Sequence, residues 1–324
     1  MKTSVLSALI GAGCLLIANA GPAQAEVNRT WVSGTGDDVN VSSNCSRTLP
    51  CKTFGGAQTA TNAGGEINCL DSGAFGQVNI NKSISIICEG VIGGVLVGAT
   101  NGITINDAGA GTAVVVLKGL DIDGIGTGLS GIRFLSGAAL HVKDSVIRNF
   151  NGSPGYGIQF APTAGALSRL FVSDSLIINN GSGANDGGII VQPSGSVSVR
   201  AVLDRVRAVG NTTGILSLGG GTQPIIVQVR DSVAAGNSSH GMSAVSTSGA
   251  LSALVIDRTS ATLNLGDGIR SQGTGALVHI GTSTVIGNVG GLIAVSGGSI
   301  LSYQDNKASG NGADGGPTGV LTTK

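Results

Sequence analysis

The chain has 324 residues, with 18 basic against 18 acidic side chains, 56 glycines and only 7 prolines. Zero formal charge without a Lys/Arg run excludes the counterion-displacing surface that nucleic-acid binding needs, and the lack of a Gly-X-Y period excludes collagen. At 41% hydrophobic and 11% charged the chain holds too much buriable surface for a disordered protein; aliphatic residues broken by Gly, Asn, Ser and Thr predict many short strands joined by tight turns.

Residues 1–25 read as a signal peptide. Lys2 gives the positive start, Val5–Ala18 the apolar run, and Ala23-Gln24-Ala25 a cleavage site. Gly11-Ala12-Gly13-Cys14 only faintly matches a lipoprotein box, because Gly11 stands where an aliphatic residue belongs. No later segment reaches the ~18 apolar residues that span a bilayer. The expected destination is secreted, periplasmic or cell-surface.

Residues 26–64 form an N-terminal segment and cap. Beyond the leader stand Cys45, Cys51, Cys69 and Cys88, an even number that suggests disulfides in an exported chain. Three pairings are open. Cys45–Cys51 would close a short loop, and Cys69 and Cys88 end two equivalent strand-like segments, Glu66-Ile67-Asn68-Cys69 and Ser85-Ile86-Ile87-Cys88. No C-x-x-C pair exists and only 3 His are present, which argues against zinc. Thr53–Ala63 predicts a short helix with Phe54, Ala57 and Ala60 or Thr61 on one face, suited to covering exposed strand edges.

Residues 65–324 carry a repeat. A Gly–apolar pair recurs at Gly102-Ile103, Gly131-Ile132, Gly157-Ile158, Gly188-Ile189, Gly214-Ile215, Gly241-Met242, Gly268-Ile269, Gly291-Leu292 and Gly319-Val320. Asn151, Asn180, Asn211, Asn237, Asn264, Asn288 and Asn311 stand shortly before it, and Asp144, Asp174, Asp204, Asp231, Asp257 and Asp305 before those. Apolar spacing is mostly two, the strand period, and several glycines per repeat would each cost a helix about 1 kcal/mol. Variable repeat length fits a coil with fixed strands and variable turns. The fold class is all-β: a single-stranded right-handed parallel β-helix, a solenoid of about ten rungs spaced ~4.8 Å apart, with a short N-terminal capping helix.

Residues 66 onward resemble the right-handed parallel β-helix repeats of the pectate-lyase-like superfamily. Arg29-Thr30-Trp31-Val32-Ser33-Gly34, Pro50-Cys51-Lys52-Thr53-Phe54 and Gly64-Gly65-Glu66-Ile67 are similar to the N-terminal portion of small exported bacterial members. The resemblance implies the fold and leaves activity open, since one fold hosts lyases, hydrolases, epimerases and non-enzymatic surface proteins.

The polar columns invite chemistry and are better read as scaffold. Asp at a strand corner accepts backbone N–H groups, and stacked carboxylates would need solvent or the interleaved Arg205, Arg230 and Arg258. Asp121-Ile122-Asp123 reads as an ordinary rung rather than a metal site. The Asn column suits tight turns and amide ladders, so its N-x-S/T sequons need no glycosylation. Asp37-Asp38 matches one hydrolase signature but lies outside the coils.

Lyases of the superfamily imply a Lys or Arg base near carboxylates; the nearest approximation is Lys143, Asp144 and Arg148, with Arg133 on the same rung and His141 nearby. Alternation with Arg133 and Gln159 turns Phe134 and Phe160 to the core. Inward positions are assigned to Val142, Val172, Val202, Val229 and Val255, which also places His279 inward. Their neighbours His141, Lys143, Phe171, Gln228, Leu254 and Ile256 then face out. His141, Phe171, Leu254 and Ile256 are therefore candidate binding residues, and the apolar part of this face predicts a homo-oligomer or surface contact.

The preferred expectation is an exported β-helix without a recognisable catalytic site, presenting an extended surface for envelope association, adhesion or glycan contact. A carbohydrate-active enzyme (polysaccharide lyase, epimerase or hydrolase) is the second reading, with calcium implied only for a lyase. A subunit of a fibrous or phage-like assembly is the third.

Overall fold

The computed structural model describes residues 27–322; the signal peptide and its cleavage site lie outside the described residues. The chain winds through three sheets of 12, 10 and 10 strands. Neighbours within a sheet come from successive rungs, and all their pairings are parallel. One rung comprises Ala139–Lys143 in the first sheet, Val146–Arg148 in the second and Tyr156–Phe160 in the third. The next comprises Leu167–Ser173, Leu176–Ile178 and Gly187–Val191. This is the parallel β-helix that the repeat predicts. Its core is one continuous column of Ile, Val, Leu and Ala, with Phe134 and Phe160 stacked inside it at 4.4 Å.

The Gly–apolar pair opens the third-sheet strand. Ile132, Ile158, Ile189, Ile215, Met242 and Ile269 stack in the core in register. The preceding glycine is required by close approach: a Cβ on Gly188 would lie 2.5 Å from the Gly214 carbonyl oxygen, and one on Gly214 2.5 Å from that of Gly241. Gly319-Val320 breaks the series. It pairs with Leu301 and Ser302 in the first sheet, while the terminal third-sheet strand is Ala313–Gly315.

Before each of these glycines runs an asparagine ladder. Asn180, Asn211, Asn237, Asn264 and Asn288 are buried. Each side-chain oxygen accepts the backbone N–H of the residue one rung earlier, as Asn237 does from Asn211 at 2.9 Å. Each amide nitrogen donates across rungs, as Asn237 does to Asn264 at 2.8 Å. Such a ladder satisfies backbone groups that a turn would otherwise bury unpaired. Asn151 is not its first member. Phe150 fills that place, its N–H donating to Asn180 at 3.1 Å, and Asn151 reaches Gly181 instead.

The aspartate column divides into two. Asp144, Asp174, Arg205, Asp231, Arg258 and Thr282 share a left-handed corner with φ between 48 and 52° except Arg258, at 46°. Asp204 and Asp257 lie one residue earlier, on strand ends in register with Ser173, Arg230 and Gly281. Where the sequence reads Asp-Arg rather than Arg-Asp, arginine takes the corner.

That single-residue difference corrects the inward positions. Val142, Val172 and Val229 face the core as expected, but Leu203, Ile256 and Ile280 accompany them, not Val202 and Val255. Leu254 and Ile256, expected on the outer face, are 0% and 1% exposed and belong to the core. A one-residue slip along a strand reverses every side chain. His279 moves the other way: it pairs with Val255 and Leu301 on the outer face.

The N-terminal end carries the expected capping helix, shorter than Thr53–Ala63 because a strand begins at Thr61. Helix Phe54–Ala60 buries Phe54, Ala57 and Ala60. Thr53 caps it by accepting from Gly56 N–H at 2.9 Å, and Phe54 meets Phe75 at 5.1 Å. Asp37 and Asp38 serve this cap: Asp37 caps a short 3-10 helix, and Asp38 accepts from Lys52 and Thr53 backbone N–H groups. The disulfides are Cys45–Cys51 and Cys69–Cys88.

Candidate functional site

The first-sheet outer face brings together His141, Lys143 and Phe171. Strand register sets Val116, His141 and Phe171 in one column and Lys118, Lys143 and Ser173 in the next. Alternation along each strand turns both columns outward while Val142 between them points to the core. The His141 and Phe171 rings stack at 4.6 Å, 13° from parallel. This separation matches the ~4.8 Å spacing of the rungs, so the rings face each other along the rod and turn their edges to solvent. Around them lies a cleft of about 250 Å³ lined by Val116, Lys118, His141, Lys143, Phe171 and Ser173.

Lys118 also borders a second cleft of about 490 Å³, together with Glu89, Gly119 and Asp144 at the corner between the first and second sheets. A third, of about 330 Å³, lies on the second sheet against Asp121, Asp123 and Arg148. Ser72 and Ile92 line both of these, so the three clefts form one band around the corner.

Charges along the band are mostly spent on one another. Glu89 pairs with Lys118, whose hydrogen bond lowers the Glu89 pKa and raises that of Lys118. Arg148 chelates Asp121 through Nε and Nη2 at 2.9 Å each and reaches Asp123 through Nη1 at 3.2 Å. Hydrogen bonding to Asp121 raises the Arg148 pKa further. Lys143 makes no ion pair among the described residues. Burial lowers the pKa of His141, which keeps its imidazole neutral near pH 7.

The sequence-derived set Arg133, Lys143, Asp144 and Arg148 does not converge. Lys143 lies on the first sheet, Asp144 on the corner and Arg148 on the second sheet. Arg133 is on the third, between Thr104 and Gln159. Sharing a rung places residues at one height but on different faces. The other histidine-bearing feature, His240 with Asp267, is also on the third-sheet side. Among the described residues no three His, Cys, Asp or Glu side chains gather as a metal site, and no helix is long and apolar enough to cross a membrane.

No family model and no curated protein matches the chain. Among solved structures, pectate lyase Pel9A is similar at 15% identity, over 92% of this chain and 77% of that one, with a TM-score of 0.49. The A-module of the Azotobacter vinelandii mannuronan C-5 epimerase AlgE4 is similar at 11% identity, over 80% and 91%, with a TM-score of 0.37. At these distances the strand pairing of the chain itself carries the fold assignment.

Proposed function

We propose that the protein is an exported, non-catalytic β-helix that holds an acidic glycan on the outer face of its first sheet. The observation that carries this reading is Lys143, an ammonium without an ion pair, beside the apolar cleft of Val116, His141 and Phe171. The ring edges and the lysine stems offer a shallow apolar floor, and the Lys143 ammonium meets carboxylates along its rim. Repetition from rung to rung suits an extended chain better than a compact ligand. Export rests on the leader of residues 1–25 together with two disulfides.

Pairing along the band weighs against catalysis. A base must give up its proton near neutral pH, yet Lys118 and Arg148 are both held protonated by carboxylates. Asp121 and Asp123 are in turn engaged by Arg148.

Affinity electrophoresis of the mature protein through gels containing uronic-acid polysaccharides tests the reading. Retardation should be strong at low salt, fall with ionic strength and be lost in Lys143→Glu. Neutral polysaccharides should not retard it. Absorbance from unsaturated products, with or without calcium, would replace binding by lyase chemistry.

A further inference from the structure

The outer face of the third sheet holds a separate cavity of about 210 Å³, lined by polar side chains from four successive rungs. Thr213, His240, Ser243 and Arg270 line it together with Leu216, which stands beside Ser243 in the strand register, and Val245. Thr213 and Ser243 are 1% and 2% exposed. Neither hydroxyl has a hydrogen-bond partner within the protein among the described residues. The residues are buried, but both hydroxyl oxygens stay open to the cavity and its water, so a ligand can take the place of that water.

The surrounding groups are fixed by their neighbours. Asp267 N–H donates to His240 Nδ1 at 3.0 Å, so in the neutral ring Nε2 carries the proton and remains a donor. Burial, first, lowers the His240 pKa; Arg270 acts in the same direction and Asp267 opposes both. The imidazole is therefore neutral near pH 7. Arg270 gives Nη1 to Asp267 at 2.7 Å and Nε to Gln272 at 3.0 Å. Asp267 thus cancels the one cation, and the cavity presents no net charge.

We infer that this cavity binds one ring of a neutral sugar. Its free groups, the Thr213 and Ser243 hydroxyls and the Asn185 amide, both donate and accept, which matches sugar hydroxyls and not a carboxylate. Leu216 and Val245 offer the apolar wall that the C–H face of a pyranose requires. The volume holds about seven waters at ~30 Å³ each, close to a single six-membered sugar ring. The site stands apart from the cationic cleft of the first sheet and does not depend on it.

Saturation-transfer NMR and calorimetry on the mature protein test this, with methyl glycosides of glucose, galactose, mannose and N-acetylglucosamine and with glucuronic and galacturonic acids as charged comparators. At least one neutral glycoside should bind saturably. Thr213→Val and Ser243→Ala each keep the shape, and each should weaken binding about tenfold, one hydrogen bond at ~1.4 kcal/mol. Lys143→Glu should leave it unchanged. Saturation by no neutral glycoside, preference for the uronic acids, or unchanged affinity in both hydroxyl variants would each overturn the assignment. Unaltered circular dichroism of the two variants keeps a loss of binding from being a loss of fold.

Discussion

Arg205 clasps Asp174 of the preceding rung, through Nε at 2.6 Å and Nη2 at 3.1 Å. Arg258 clasps Asp231 in the same way, at 2.8 and 2.9 Å. From Asp174 to Arg258 the corner between the first and second sheets therefore carries alternating charges, and each arginine also touches the aspartate just before it in sequence. Bidentate guanidinium–carboxylate pairs are the geometry in which exposed charges hold register best.

Replacing Arg205 with alanine should lower the melting temperature modestly, and the difference should shrink as salt rises. Both partners are open to solvent, Arg205 by 55% of its side chain, so screening limits what the pair contributes. A thermal-melt series across ionic strength checks this. A salt-independent difference would assign the effect to loss of side-chain packing.

The buried ladder should be far less tolerant. Asn237→Ala removes the acceptor for Asn211 N–H and one of the two donors to Asn264 Oδ1, which keeps the backbone N–H of residue 237. The buried N–H left unpaired costs ~1–3 kcal/mol and the lost amide bond about 1 more, so urea unfolding should show a loss of about 2–4 kcal/mol. Asn311, at the end of the ladder and bonded to exposed Asp314, should cost less when replaced.

Register on the first sheet is open to a paired test. Leu254→Asp buries a carboxylate in the core and should abolish folding, whereas Val255→Asp places it on the outer face and should be tolerated. Leu254→Ala should cost about 2–5 kcal/mol. Soluble expression and circular dichroism distinguish the two positions; equal behaviour would show that the strand does not alternate as described.

Acid should loosen the turn after Asn106. Burial raises the Asp107 pKa, but the Ser136 hydroxyl and the backbone N–H groups of Ala113, Gly111 and Thr112 outweigh it and hold the carboxyl at about 2. Its folded pKa thus lies below the unfolded value near 4. The stabilisation is complete above that value and is lost as pH falls from about 4 through 2, amounting to about 2 kcal/mol. Asp107→Asn should remove this part of the pH dependence, read from melting curves between those limits.

Much of the rod is legible in the sequence because its determinants are local or repeat strictly. Period-two strands, the Asn turns, the Gly at close approach and the Phe54 helix each follow from a rule that acts within a few residues. Matching Asp to Asp along the repeat puts Val202 and Val255 one residue out of register. At Asp204-Arg205 and Asp257-Arg258 the left-handed corner accepts arginine, and the order of the two charges inverts. A hydroxyl marks the corner better: Ser145, Ser175, Ser232, Thr259 and Ser283 follow it, each accepting a neighbouring N–H. Only Val206 interrupts that series. The first-sheet cluster of His141, Lys143 and Phe171 was readable from alternation there because no inversion precedes it.

The third-sheet cavity was not readable. His240 and Asp267 are 27 residues apart, and Thr213, Ser243 and Arg270 follow no motif. They meet only because four turns of different length stack in register. What marks the place is two hydroxyls on one cavity with no partner in the protein, which composition and spacing do not reveal.

The alternating corner also limits how such a rod can lengthen or shorten. Excising the rung that bears Arg205 would bring Asp174 against Asp231, and excising the one that bears Asp231 would bring Arg205 against Arg258. Removing both leaves Asp174 facing Arg258, and every contact is again between opposite charges. Between Asp174 and Arg258 the smallest change of length that keeps every corner contact between opposite charges is two rungs.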